Sequence, residues 1–216
     1  MMHILSEKNN LCNQFIAELR DIHIQNDRSR FRRNMKRIGE IFAYEISKSL
    51  QYEKKDIETP LGKKEMHLIS NKIVNATILR AGLPLHDGIL SYYDQAENAF
   101  ISAYREYQNE YAFDIKFEHV SGPSIEEKTL ILSDPMLASG ASMIGSYQAL
   151  MKHGKPRHTH IVAIIASEPG VEKLQKELMD DTMTLWIGDI DPSLNAKSYI
   201  VPGIGDAGDL AFGEKN

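Results

Sequence analysis

The chain's densest chemical signal runs from Thr129 to Ser142, Thr-Leu-Ile-Leu-Ser-Asp-Pro-Met-Leu-Ala-Ser-Gly-Ala-Ser. Leu130, Ile131 and Leu132 read as a strand buried on both faces. Asp134 then stands at its carboxyl end, Ala138 to Ser142 form a loop of small residues, and Met143 to Lys152 read as a helix. Open α/β sheets bind ligands at the carboxyl ends of their strands. A small-residue loop opening a helix aims backbone N–H groups and the helix dipole at an anion. A carboxylate beside that anion accepts hydrogen bonds from sugar hydroxyls. Anion plus diol describes a ribose phosphate. The loop has neither the Gly-x-Gly-x-x-Gly pattern of dinucleotide sites nor the Gly-Lys-Ser/Thr of a triphosphate loop. On these residues alone, an ordinary strand–loop–helix unit stays equally open.

Two arginines stand in equivalent places. Arg80 follows the apolar stretch Asn75–Leu79, and Arg105 follows Asn98–Tyr104. In a parallel sheet both share an edge with Asp134. There the planar guanidinium fork suits the oxygens of a diphosphate. Taken singly, each arginine reads as a surface ion pair; the three groups together favour a site.

The elements that must position these groups alternate between helix and strand. Leu11 to Asp21 has helical spacing, and Arg30 to Leu50 reads as a longer amphipathic helix with Met35, Ile38, Ile41, Phe42, Ile46 and Leu50 toward one side. Ile57 to Ile69 reads as a hairpin turning at Pro60 and Gly62. Strands are expected at Asn75–Leu79, Asn98–Tyr104, Thr129 onward, His160–Ala166 and Thr184–Ile187, and a helix at Pro169–Leu178 capped near Ser167. Such alternation predicts an α/β fold with a parallel sheet flanked by helices on both faces.

Composition bounds the function. The 216 residues, with 42% hydrophobic and 25% charged, predict one domain with a substantial core. A net charge of −5 argues against a nucleic-acid binder as a whole. The single cysteine, Cys12, excludes an intrachain disulfide and suits a reducing compartment. No apolar run approaches the ~18 residues of a membrane span, and Met1–Lys8 lacks the basic start and apolar stretch of a signal peptide. A cytoplasmic protein is expected.

Three segments, in order, resemble one family. Asp134-Pro-Met-Leu-Ala-Ser-Gly-Ala-Ser142 is similar to the 5-phosphoribosyl 1-diphosphate (PRPP) motif of uracil phosphoribosyltransferases. Leu79-Arg-Ala-Gly-Leu83 matches a second segment of that family. Tyr199-Ile-Val-Pro-Gly-Ile-Gly-Asp-Ala-Gly-Asp209, followed by Phe212-Gly213, looks like its uracil-recognition segment. The likeness runs from about Arg30 to the C-terminus. It implies a type I phosphoribosyltransferase fold over residues 1–216, with a small hood partly from 1–30 and 195–216 and the hairpin as an arm. It implies that uracil and PRPP give UMP and diphosphate, in pyrimidine salvage. Catalytic roles fall to Arg105, Asp134 and Asp206. Arg80 and Arg105 would contact the diphosphate and Asp134 the ribose hydroxyls, and Asp206 would also lie near PRPP. Pro135, Met136 and Leu137 would line the PRPP site, and Ala138, Ser139, Gly140, Ala141 and Ser142 would cradle the 5′-phosphate. Ile200, Gly205, Asp206 and Ala207 would read the uracil edge, mainly through backbone groups. Magnesium is the implied cofactor, bound to substrate oxygens with Asp206 helping through water and no direct protein ligand. The family implies a homodimer or homotetramer, and a GTP effector.

Some positions depart from the family pattern. Ser139-Gly-Ala141 stands where Thr-Gly-Gly is usual, and Ala141 adopts positive φ less readily than Gly. Pro84-Leu85 replaces a Gly-Met pair, and Leu210 replaces a common basic residue. Glu106 to Lys128 is polar and reads either as a lid or as a surface excursion. The basic run Arg28–Arg37 reads as a solvated helix face or a subunit contact, with RNA or a nucleotide effector as the alternative. His158 and His160 read as a solvated pair, Cys12 as inert, and Trp186 as core. The alternatives for function are a PRPP- or UMP-sensing regulator without turnover, and a phosphoribosyltransferase for another nucleobase.

Overall fold

The computed structural model describes residues 1–107 and 113–214, with side chains outside 103–118. In chain order the elements are β1 (Met2–Ile4), α1 (Leu11–Arg20), α2 (Arg28–Ser47), β2 (Tyr52–Thr59), β3 (Gly62–Ile69), β4 (Ile73–Leu79), α3 (Leu83–Leu90), β5 (Glu97–Tyr107), β6 (Phe113–Ser121), β7 (Thr129–Ser133), β8 (Met136–Leu137), α4 (Ala141–Leu150), β9 (His158–Ser167), α5 (Glu168–Glu177), β10 (Met183–Asp191), β11 (Ser193–Leu194), β12 (Ile200–Val201) and α6 (Ala207–Phe212).

One sheet organises the chain in the order β1-β10-β9-β7-β4-β5-β6, with β8 beside β9. All its pairings are parallel except β5 with β6. Strand residues alternate between two apolar cores, one on each face. Val162 and Ile164 pack with Cys12, Phe31, Leu85 and Ile89 of α1, α2 and α3. Ile161 and Ala163 pack with Met143, Ile144, Val171 and Leu174 of α4 and α5. Ser167 caps α5 by accepting from the Gly170 N–H at 3.0 Å, as the sequence predicts.

The structure corrects several boundaries. The sheet is mixed, because β6 returns antiparallel beside β5 with no helix between them. The polar stretch Glu106–Lys128, open between a lid and a surface excursion, carries a strand over Phe113–Ser121, while residues 108–112 lie outside the described residues. β10 extends to Asp191, well past Ile187, because Gly188 and Asp189 break its apolar pattern but not its pairing with β9. Met2–Ile4 adds an edge strand beside β10. The hairpin's first strand begins at Tyr52, with Pro60 and Leu61 at the tip.

The basic run is largely spent inside the chain. Arg30 pairs with Glu18 at 2.8 Å, Arg32 donates to the Ala211 carbonyl at 2.6 Å, Lys36 meets Asp87 at 3.4 Å, and Arg37 lies 5.0 Å over the Phe15 ring. His158 and His160 are likewise absorbed. His158 Nε2 lies 3.0 Å from the Thr184 hydroxyl, and buried His160 accepts the Trp186 Nε1–H at 3.0 Å on Nδ1. Cys12 is fully buried, and burial above all pushes its thiol up to about 12, the unreactive end of the scale.

Candidate active site

β7 delivers Asp134 to the sheet's carboxyl edge. The Asp134 N–H donates to the Val162 carbonyl at 3.1 Å, and its carboxylate accepts the Met136 N–H at 3.4 Å. Pro135, Met136 and Leu137 then run along β9: the Pro135 carbonyl accepts from Ile164 and Ile165, and Met136 and Leu137 pair with Ile165 and Ala166. Ala138, Ser139 and Gly140 make the turn, and Gly140 has φ +77°. α4 begins at Ala141, so the loop is shorter than the sequence implies and Ala141 and Ser142 form the first helical turn. The left-handed residue is Gly140, and Ala141 takes an ordinary helical φ. Alanine there costs the loop nothing. No side chain caps α4, which leaves its first N–H groups to an anion.

The loop is buttressed from α5. Ser167 Oγ donates to the Ala138 carbonyl at 2.7 Å. A methyl group added at Gly170 would meet that carbonyl at 2.0 Å, so the helix approaches the loop as closely as backbone allows.

Arg80 leaves β4 at the neighbouring strand end and opens the turn into α3. Pro84 sits in the first turn of α3, where its missing N–H leaves no intrahelical bond unmade; this accommodates one departure from the family pattern. The Arg80 guanidinium donates to the Gly213 carbonyl at 3.1 Å and lies 3.5 Å from Asp209. Arg105 lies on β5, whose Ser102 pairs with Leu79, the last residue of β4, so its backbone lies further along the strand than that pair. Its side chain lies outside the described residues.

The C-terminal segment crosses this edge. β12 pairs with β11, and Ile200, Ile204, Ala207 and Ala211 bury themselves in the same core as Ala81, Met136 and Ala138. Asp206 caps α6 by accepting the Asp209 N–H at 3.0 Å. Gly205 has φ +85°, and Leu210 packs 3.8 Å from where a Gly205 side chain would begin, an apolar use for the position that carries a base elsewhere. The fold thus brings together Arg80, Asp134, the 135–142 loop, and Ile200, Gly205, Asp206 and Ala207.

Sequence reasoning missed the groups that anchor this segment. Arg20, at the end of α1, binds Asp191 at 2.8 and 2.9 Å, Asp189 at 2.7 Å and the Gly203 carbonyl at 3.0 Å. Burial alone would lower the Arg20 pKa, but the two aspartates hold it above its ordinary value. Asp189 and Asp191 end an apolar strand just as Asp134 does; that signal was readable once β10 was given its full length.

A family model described as uracil phosphoribosyltransferase matches residues 6–214. A uracil phosphoribosyltransferase from Porphyromonas gingivalis is 53% identical over 98% of this chain and 97% of its own length. One from Methanothermobacter thermautotrophicus is 37% identical over 87% of this chain and 85% of its own. Among solved structures, the AQ2163 protein from Aquifex aeolicus superposes with a TM-score of 0.87 at 27% identity, covering 99% of this chain and 98% of that one. A hypoxanthine phosphoribosyltransferase from Staphylococcus aureus shares the fold at a TM-score of 0.50 and 13% identity, with 74% of each chain covered.

Proposed function

The chain belongs to the uracil phosphoribosyltransferase family, and from that premise we propose that it joins uracil to PRPP, forming UMP and diphosphate in pyrimidine salvage. The observation that carries this reading is the meeting, in one core, of the Arg80 turn, the 135–142 loop and the Ile200–Ala211 segment at the carboxyl edge of the sheet. Neither a sensor without turnover nor another base is favoured by any of these features.

N1 of uracil displaces diphosphate from ribose C1, and C1 gains positive character as diphosphate departs. The 5′-phosphate sits on the N–H groups of Ser139 to Ser142. Pro135 to Leu137 line the wall beside it, and Asp134 takes the ribose hydroxyls. Arg80 and Arg105 neutralise the leaving diphosphate, the step where charge stabilisation counts most. Arg80 exchanges its present partners, Asp209 and the Gly213 carbonyl, for diphosphate oxygens. Uracil presents acceptor, donor, acceptor along O2, N3–H and O4. Backbone groups of Ile200, Gly205, Asp206 and Ala207 match that edge, and cytosine would leave buried groups unpaired there.

Among the described residues no group of three His, Cys, Asp or Glu side chains is placed to hold a metal ion. Magnesium is proposed to ride on substrate oxygens and water, with Asp206 and Asp134 as outer carboxylates, since this ion keeps waters and binds phosphates readily. When bound, the ion would neutralise diphosphate charge. The proposed hood comes partly from residues 1–30 and 195–216. A second copy covers β2 and β3, whose side chains are exposed throughout and which pair only with each other. A guanine nucleotide effector rests on the family likeness alone. Among the described residues no helix is long and apolar enough to cross a membrane; a cytoplasmic setting rests on the sequence reading alone.

Diphosphate release on mixing uracil, PRPP and magnesium tests the reading. Release is expected with uracil and not with cytosine; a chain that binds PRPP yet releases nothing with uracil would overturn it.

A further inference from the structure

The Gly203 peptide groups are claimed from both sides. Its N–H donates to Asp191 Oδ2 at 2.9 Å, and its carbonyl accepts from Arg20 at 3.0 Å. The same Asp191 carboxylate accepts two bonds from Arg20, at 2.8 and 2.9 Å, so guanidinium, carboxylate and peptide close a ring. Asp191 is 5% exposed. Asp189 takes the other face of the fork at 2.7 Å and itself accepts from Ser6 at 2.7 Å, which ties the ring to the N-terminal segment. Gly203 has φ +62°, and a side chain there would strike the Ile200 carbonyl at 2.2 Å.

We propose that Arg20, acting through Asp191, is a positioning residue that fixes the Gly203 peptide and so presets the backbone that reads the base. This rests on the assignment of Ile200 to Ala207 to uracil. The physical argument is preorganisation. Backbone N–H and C=O groups discriminate a base edge only when they are aimed before it arrives, and a glycine-rich loop left to itself would lose much entropy on ordering. The bidentate fork between charged groups is the strongest non-covalent tie available for this purpose, and it is drawn from two elements, α1 and β10, already held in the apolar core. Pro202 ahead of Gly203 further limits the loop. The ring is built from α1, β10 and Gly203 and includes no residue of the 134–142 run, so the effect should fall on the base and spare PRPP.

The test compares wild type with Arg20→Gln, Asp191→Asn and Arg20→Lys. Steady-state constants for both substrates and amide exchange at Gly203 are measured on each. In Arg20→Gln and Asp191→Asn the KM for uracil should rise about tenfold or more, as expected for losing hydrogen bonds between charged groups. The KM for PRPP should stay within about twofold and Gly203 exchange should quicken. Arg20→Lys should recover part of the loss, because it keeps the charge without the fork. The double variant should be no worse than the worse single one, since the pair acts as a unit. An unmoved KM for uracil, or both constants rising together, would overturn the proposal. Should Arg20→Gln fail to fold, Asp191→Asn decides on the same criteria. A wild-type chain that makes no UMP would defeat the uracil assignment and this inference with it, whereas an active wild type with indifferent variants removes the inference alone.

Discussion

Asp134 follows the last residue of β7 and Arg105 lies within β5 near its end, and both are proposed to touch substrate. Asp134→Ala and Arg105→Ala should therefore each lower turnover by about 100-fold, the scale of losing one charge-stabilising group. Their melting temperatures should stay near that of wild type. Near-normal rates in both variants would contradict the site assignment. Gly140 differs, because its conformation carries the loop. Gly140→Ala forces a side chain into φ +77° and should cost about 1–2 kcal/mol, with PRPP affinity falling as the turn relaxes; urea denaturation and calorimetry would read the two effects. At this scale the sequence was legible wherever the chemistry is local. Asp134 and its loop lie within one short run, so residue types and spacing reveal them. Arg20 and Asp191 lie 171 residues apart, and only the folded chain shows that they meet.

Element boundaries were legible where hydrophobic period and capping agree, as in α1, α5 and β7. They failed where a polar residue sits inside a paired strand. The sequence pattern ends β10 at Ile187 because Gly188, Asp189 and Asp191 look like a loop, although β9 pairs with that strand through Ser167. β6 is legible only in the alternation of Phe113, Ile115 and Phe117 with Asp114, Lys116 and Glu118, a signal that the polar residues around it obscure. α4 starts two residues before the Met143 that the sequence pattern suggests, because Gly140, not Ala141, takes the left-handed turn. Two element-scale outcomes follow. Gly170→Ala drives a methyl group into the Ala138 carbonyl and should weaken PRPP binding by pushing the loop off α5, seen as a raised KM for PRPP. In the β2–β3 hairpin, Ile57, Met66 and Leu68 share one exposed face, and two strands without further packing are marginal in water. Met66→Glu with Leu68→Glu should shift the assembly toward monomer in sedimentation while the circular dichroism spectrum holds. An unchanged assembly would remove the hairpin from the subunit contact.

The whole molecule is a sheet with a core on either face, and its stability should depend on acid in a defined way. Burial above all, with help from His158 and His3, lowers the His160 pKa to about 3. Burial also lowers His86 and His158. The unfolded chain takes up protons on these rings below about pH 6.5, while folded His160 refuses one until about pH 3. Their contribution is complete above pH 6.5 and is lost as pH falls from there toward 3. Glu18, held near 2 chiefly by its hydrogen bond from Arg30, adds a second loss at lower pH. Denaturant midpoints should fall between pH 7 and pH 5, and His160→Gln should flatten that fall; a variant as acid-sensitive as wild type would contradict this. The fold class was legible at this scale because strand–helix alternation and apolar strand runs leave few other architectures. The tethering of the basic α2 run was not, since its partners come from Glu18, Asp87 and Ala211, scattered along the chain.

The central claim is that one edge of this sheet holds PRPP while a prearranged C-terminal loop selects uracil. UMP formation from labelled uracil with PRPP and magnesium, run beside cytosine and hypoxanthine, tests it most directly. Labelled UMP is expected from uracil and no nucleotide from the other two bases. Product from cytosine or hypoxanthine at a comparable rate, or none from uracil by a chain that still binds PRPP, would contradict it.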